Sequence, residues 1–245
     1  MNIESKEKLE IDFWKNSAEE NPIVFSIPNL INKFKEIELF YEKIIIYQST
    51  WKHANKVLEI GGGQGWAGCL LKHFFPEKEI ISSDISSHAV KGQKIWENLF
   101  SVKLDGGFTA KSYSIPLEDE SMDTIFCFAA AHHFVKHRST LIELKRVLKP
   151  GGFIIYFYEP VCLAYIYKRA KARVNKKRHI VPEDLLIYPE MKKIAKELNL
   201  SYTLNFSPST KNRSLVGAIY YTILSRLSAL QKILPCTADL IFTKK

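Results

Sequence analysis

The residues with the most chemical content gather around three glycines. Gly61, Gly63 and Gly65 follow the apolar run 56–60 and precede the apolar stretch 66–75, an order that reads as strand, turn and helix. A turn this rich in glycine lets the backbone approach a ligand more closely than a Cβ would allow. A dinucleotide turn needs its third glycine five residues after the first, for helix–strand packing. That position here is Trp66, which argues against NAD or FAD. Glu59 places a carboxylate at the end of the strand, and Asp84 ends the next apolar run, 19 residues after Gly65. A carboxylate at a strand end can accept hydrogen bonds from both hydroxyls of a ribose; its other reading is a cap for the following helix. His132 and His133 follow a strand at 124–129, and Glu159 follows one at 153–158. An imidazole titrating near neutrality can take a proton from an acceptor. Glu159 competes for that role, and loop ordering is the competing reading of the histidines.

Elements that hold such residues in place are legible in the spacing. Strands are expected at 56–60, 79–83, 108–113, 124–129, 153–158, 201–206 and 237–243. Helices are expected at 5–20, 28–50, 66–75, 87–100, 139–148, 189–198 and 214–234, with a partly helical basic stretch at 161–179. Strands alternating with helices of this length imply an α/β fold, a parallel sheet covered on both faces. Ligands of such sheets bind at the carboxyl ends of the strands, where the glycine turn, Asp84, the histidines and Glu159 all fall. The helix at 214–234 carries Leu215, Ile219, Ile223, Leu227, Leu230 and Leu234 on one stripe, expected to close over the sheet or to mediate dimer contact, with membrane-surface contact as a minor reading.

The run Glu59-Ile-Gly-Gly-Gly-Gln-Gly65 resembles motif I of the class I methyltransferases that use S-adenosylmethionine (SAM). The resemblance continues through Ser83-Asp-Ile-Ser86, 115–123, Ala131-His-His-Phe134 and 144–152, and is nearest to the small-molecule enzymes of ubiquinone-biosynthesis type. It implies a Rossmann-like, seven-stranded, mostly parallel sheet with the last strand antiparallel. It also implies a single domain: an N-terminal helical cap (1–50), a SAM-binding core (51–160), and an acceptor-side lid with the closing strands (161–245). Cofactor contacts then fall to Glu59, Gly61, Gly62, Gly63, Gly65, Asp84, Ile85, Ser112 and Ala129. Relatives often carry an aspartate for the adenine amino group where this chain has Lys111, so that contact is expected from backbone near Ser112. Asp123 is expected to be structural.

Composition bounds the remaining choices. The chain has 245 residues, 46% hydrophobic and 25% charged, ordinary for a globular protein. Neither a signal pattern nor an apolar span long enough to cross a membrane is evident, so a cytoplasmic location is expected. The four cysteines are far apart and read as reduced; no metal is expected. Net charge is +9, but residues 161–245 hold 16 basic against 5 acidic residues (+11) and residues 1–160 hold 19 against 21 (−2). Lys168, Arg169, Lys171, Arg173, Lys176, Lys177 and Arg178 crowd the stretch after the fifth strand, where the resemblance puts the acceptor lid. A cationic lid suits a small anionic acceptor, methylated on O or N. Nucleic acid is a second reading, opposed by Ala129-Ala-Ala-His132 where base-amine enzymes carry Asn/Asp-Pro-Pro-aromatic, and by Cys127 lying inside an apolar strand. A SAM-fold protein that only binds is a third. Oligomeric state stays open.

Overall fold

The computed structural model describes residues 3–17, 21, 26–176 and 181–245. Two helices, α1 (Ile3–Asn16) and α2 (Ile27–Ile46), and a short α3 (Gln48–His53) precede the sheet. Then come β1 (Lys56–Ile60), α4 (Trp66–Phe74), β2 (Glu79–Asp84), α5 (Ser87–Lys91), α6 (Gln93–Phe100), β3 (Gly106–Thr109) and β4 (Met122–Phe128). A 3-10 turn at Ala131–His133 leads to α7 (His137–Val147), β5 (Leu148–Cys162) and α8 (Ala164–Val174). The chain ends with β6 (Leu186–Ile187), α9 (Tyr188–Glu197), β7 (Leu200–Phe206), α10 (Leu215–Arg226), α11 (Ser228–Gln231) and β8 (Cys236–Lys244).

The sheet runs β3-β2-β1-β4-β5-β8-β7, with the two-residue β6 beside the end of β5. The first five strands are mutually parallel, and β8 is antiparallel to both β5 and β7. Strand order reverses between β1 and β4, the switch point where open α/β sheets form a ligand crevice. The expected fold class holds, and the strand count differs by β6. Gly92 divides the expected 87–100 helix into α5 and α6, and the third strand lies earlier than expected.

One apolar core sits on each face. Leu58, Ile60, Ile125 and Tyr156 belong to one; Val57, Phe126 and Phe157 belong to the other, under α2, α3 and α4. Phe40 of α2 stacks on Phe126 at 5.4 Å and meets Trp66 and Phe157 edge-on. Asp123, expected to be structural, accepts the backbone N–H groups of Asn55 and Lys56 and pairs with Lys149 at 2.7 Å. It thereby ties the start of β1 to β4 and β5. The four cysteines are free and buried.

Of the two main roles expected for the C-terminal helix, one is overturned. The apolar stripe of the C-terminal helix does not close over the sheet: Leu215, Ile219, Ile223 and Leu227 are all exposed, and only Leu224 of α10 is buried. The helix also breaks at Leu227, so the stripe does not continue as one face. No helix among the described residues is long and apolar enough to cross a membrane.

A buried ion pair fastens the N-terminal helices to the last strand. Lys43 Nζ lies 2.7 Å from Asp239 Oδ2, which also accepts from Tyr47 Oη, while Asp239 Oδ1 accepts the Tyr158 N–H. Removing one member of a buried pair leaves the other charge without compensation. Lys43→Met is expected to cost about 3–5 kcal/mol of unfolding free energy, read by urea denaturation; a loss within the range of surface substitutions would mean that water reaches Asp239.

Candidate active site

The crevice at the switch point is a cavity of about 800 Å³, near the upper end of small-molecule sites. Its floor is the glycine turn. Gly61, Gly63 and Gly65 have φ of 60°, 55° and 74°, a left-handed conformation that side chains disfavour. The turn is locked from below by Glu59, whose Oε2 accepts from Ser82 Oγ (2.7 Å) and Gly68 N–H (3.2 Å). Gly62 and Gly68 are glycine for packing: a Cβ on either would come within 2.7 Å of the Glu59 carboxyl group.

Asp84 reaches across from the end of β2. Its two oxygens accept the Gly63 and Ser86 N–H groups at 2.9 and 2.8 Å, so it both fastens the turn and starts α5. Burial pushes the Asp84 carboxyl up to about 6, against the pull of those two N–H groups. Burial likewise raises Glu59 to about 7, with the charge of Asp84 adding to it. The site thus holds two acids at a cost that a bound cation would relieve.

Trp66 lines the cavity, but its indole packs edge-on against Phe40 and Phe128 and leaves the turn clear. Gly65 does not line the cavity; its left-handed conformation begins α4. The other residues expected around the cofactor, Glu59, Gly61, Gly62, Gly63, Asp84, Ile85, Ser112 and Ala129, all do. Lys111 gives its ammonium to Glu7 of α1 at 2.7 Å, and Tyr113 donates its hydroxyl to the same carboxylate. Ser112 Oγ shares a hydrogen bond with Thr140 Oγ1.

The opposite wall begins where Ala129, at φ 47°, turns the chain out of β4. Glu159 is fully buried, and its carboxylate accepts the N–H groups of Ala130, Ala131 and His132 and contacts His132 Nδ1 at 2.7 Å. The expectation that Glu159 faces an acceptor as a base is therefore corrected: it orders the turn and does not line the cavity. His132 and His133 do line it. His132 Nε2 lies 3.1 Å from Glu183 Oε2, and His133 Nε2 lies 3.7 Å from the same oxygen. Burial opposes a charge on His132, but Glu159 and Glu183 outweigh it and raise the imidazole to about 9.

Sequence reasoning missed two contributors. The first is the set of side chains that the expected N-terminal cap brings in: Glu7, Glu10, Phe13 and Trp14 of α1 line the cavity, and the Trp14 ring lies so close to Gly63 that a Cβ there would stand 2.8 Å from it. The second is Glu183, from the stretch after α8. Both are brought in by tertiary packing alone. The cationic lid did not materialise as expected. Among the described residues, Lys168, Arg169, Lys171, Arg173 and Lys176 do not line the cavity, and Lys171 is paired with Asp184 at 2.8 Å. Lys177 and Arg178 lie outside the described residues.

A parallel sheet reversing at β1/β4, with a glycine turn and a strand-end acid at the crevice, defines a doubly wound α/β protein. Residues 58–156 match a family model described as a methyltransferase domain. The chain is 29% identical over 105 residues to a malonyl-[acyl-carrier protein] O-methyltransferase of Gallionella capsiferriformans, covering 41% of this chain and 36% of that protein. It is 26% identical over 123 residues to a fatty-acid O-methyltransferase of Mycolicibacterium smegmatis, covering 49% and 44%. The matches thus span less than half the length of these relatives. Among solved structures, a protein of Pyrococcus horikoshii superposes with a TM-score of 0.64 at 15% identity, covering 96% of this chain and 99% of that one. A SAM-dependent methyltransferase of Archaeoglobus fulgidus gives 0.59 at 17% identity, covering 89% and 100%. Residues 58–156 thus match a methyltransferase domain, carried on the fold of solved SAM-dependent methyltransferases, and SAM is the cofactor that such a domain uses.

The residues present fit that group. The turn offers backbone to an adenosyl chain, Asp84 offers oxygens at the cavity wall, and two buried acids await a positive sulfonium. Two expectations follow. Gly63→Ala, strained at its φ and pressed against Trp14, should weaken SAM at least tenfold in a calorimetric titration, and Asp84→Ala should do the same; unchanged affinity in both would move the cofactor elsewhere. The second concerns pH. A carboxyl whose folded pKa is raised favours the fold below its unfolded value, about 4, and loses that contribution as pH climbs through the folded one. For Glu59 the window is roughly pH 4 to 7. Thermal melts of the ligand-free chain should show Glu59→Gln more stable than wild type by about 3 kcal/mol at pH 8, with the gap closing near pH 4. A gap independent of pH would mean that Glu59 does not ionise in that window.

Proposed function

We propose that this chain is an enzyme that transfers the methyl group of SAM to an oxygen or nitrogen of a small acceptor. The observation that carries this is the two-sided cavity: the glycine turn with Asp84 on one side, and His132, His133 and Glu183 on the other, beneath α1. Bound SAM supplies an electrophilic methyl on a positively charged sulfur. The chain's own residues bind, orient and exclude water. Asp84 and the turn fix the cofactor end, Trp14 and Phe13 roof the crevice, and the 3-10 turn pinned by Glu159 presents the histidines to the acceptor. Alignment of nucleophile and methyl then accounts for much of the rate.

The relatives named above act on malonyl-acyl carrier protein and on fatty acids, both through oxygen. An acid's carboxylate oxygen is accordingly the acceptor we favour, which keeps the expectation of an anionic substrate. Its support is now the relatives and not the basic residues 168–176, which do not line the cavity. Among the described residues, those lining the site include no Asn/Asp-Pro-Pro-aromatic run for a flipped base.

Incubation with radiolabelled SAM and a panel of fatty acids and malonyl thioesters should give labelled ester, with Asp84→Ala reducing the rate at least tenfold at subsaturating SAM. SAM binding without transfer to any oxygen or nitrogen acceptor in a metabolite extract would reduce the chain to a binding protein.

A further inference from the structure

The acceptor wall carries an arrangement for which methyl transfer from SAM gives no reason. His132 and His133 are neighbours on one 3-10 turn, their ring centroids 4.1 Å apart. Each turns Nδ1 toward a carboxylate: His132 toward Glu159 at 2.7 Å, hydrogen-bonded, and His133 toward Glu10 at 2.7 Å, beside the nitrogen but off the hydrogen-bond axis. Each turns Nε2 toward Glu183 Oε2, at 3.1 and 3.7 Å. One atom from each of His132, His133 and Glu183 falls within 4.8 Å of the others.

A carboxylate at Nδ1 favours the tautomer with its proton there. Once an incoming ion displaces the proton that His132 shares with Glu183, as metal binding to a histidine requires, both Nε2 lone pairs and the Glu183 oxygen converge as three electron-pair donors. Ligands of a tetrahedral divalent ion, about 2.0–2.2 Å from it, stand about 3.3 Å from one another, which the 3.1 and 3.7 Å separations bracket. Carboxylates behind the ligating histidines are the usual supports that fix ring orientation. Glu183 is held as well: its N–H donates to Asn175 Oδ1 at 2.9 Å, and its carbonyl accepts from Asn175 Nδ2 at 2.8 Å. Supports from three separate elements therefore aim the three groups at one point on the cavity wall.

We infer that His132, His133 and Glu183 form a site for one divalent transition-metal ion, with Glu159 and Glu10 as positioning residues and a coordination position open to the cavity. Two histidines and a glutamate with an open position is a ligand set of the catalytic type, suited to zinc and its neighbours. The ligand that this open position takes is an oxygen anion, the carboxylate end of the acceptor. That last assignment rests on the methyltransferase reading; metal binding itself does not.

The test uses the full chain, stripped with chelator and titrated calorimetrically with Zn²⁺ in the absence of SAM. One ion per chain with micromolar or tighter affinity is expected. His133→Ala and Glu183→Gln should each weaken it at least tenfold, with melting temperatures of the metal-free proteins near wild type, and Glu10→Gln should weaken it less. Asp84→Ala should lose SAM affinity and keep the metal. No binding by the wild type, or binding that neither His133→Ala nor Glu183→Gln alters, overturns the site. A chain that binds SAM but no metal removes this inference and leaves the methyltransferase reading; one that binds metal but no SAM supports the site and rejects its use in methyl transfer.

Discussion

The carboxylate of Glu159 is the charge around which the acceptor side is built. A buried carboxylate is costly unless its oxygens are filled, and Glu159 fills them with three consecutive backbone N–H groups and an imidazole. Those N–H groups belong to Ala130, Ala131 and His132, which would otherwise be orphaned where β4 ends and no helix yet begins. The same bonds that satisfy the acid thus force the chain into a 3-10 turn and hold His132 and His133 at the crevice. The imidazole in turn holds the Glu159 carboxyl below its ordinary range, despite burial that pushes the other way. Neither group would be stable in its present state without the other.

A comparable economy governs the cofactor side. Glu59 lies beneath the turn and Asp84 beside it, and both spend their oxygens on the protein's own donors, Ser82 and Gly68 for one, Gly63 and Ser86 for the other. The glycines at 62 and 68 leave room for Glu59, while those at 61, 63 and 65 supply the left-handed bends. The turn and the start of α4 therefore carry two sets of glycines serving different constraints, room for a buried acid in one and backbone conformation in the other.

Much of this was legible in the residues, and the reasons are local. The apolar run 56–60 must be a buried strand, glycines after it must bend, and a strand-end acid at 84 must meet the bend; each inference needs only near neighbours. What escaped was whatever depended on distant segments. Glu183 and Glu10 carry no motif and become part of the site only because the stretch after α8 and the helix α1 fold over the crevice. The basic residues 168–176 misled for the same reason: a charge run says that a segment is solvated, not which way it faces. Leu215, Ile219 and Ile223 repeat at helical spacing, yet their stripe faces outward, because periodicity defines a face without naming what covers it.

The charge of the cavity wall gives the two sides a common logic. Glu7, Glu10, Glu36, Glu59, Asp84 and Glu183 line it, against Lys33 and Lys111 and two histidines. Glu7 is neutralised by Lys111 and Glu36 by Lys33. Glu59 and Asp84 face the region that a sulfonium occupies, and Glu10 and Glu183 flank the histidines. A crevice of this sign attracts cations and repels an acceptor bearing a carboxylate. An anionic acceptor is favoured by positive charge on its own side beyond that of His132, as the sulfonium provides on the other. A divalent ion held by His132, His133 and Glu183 would supply it next to where the acceptor oxygen must sit, and would make the acidity of the wall a condition for binding and not an obstacle to it.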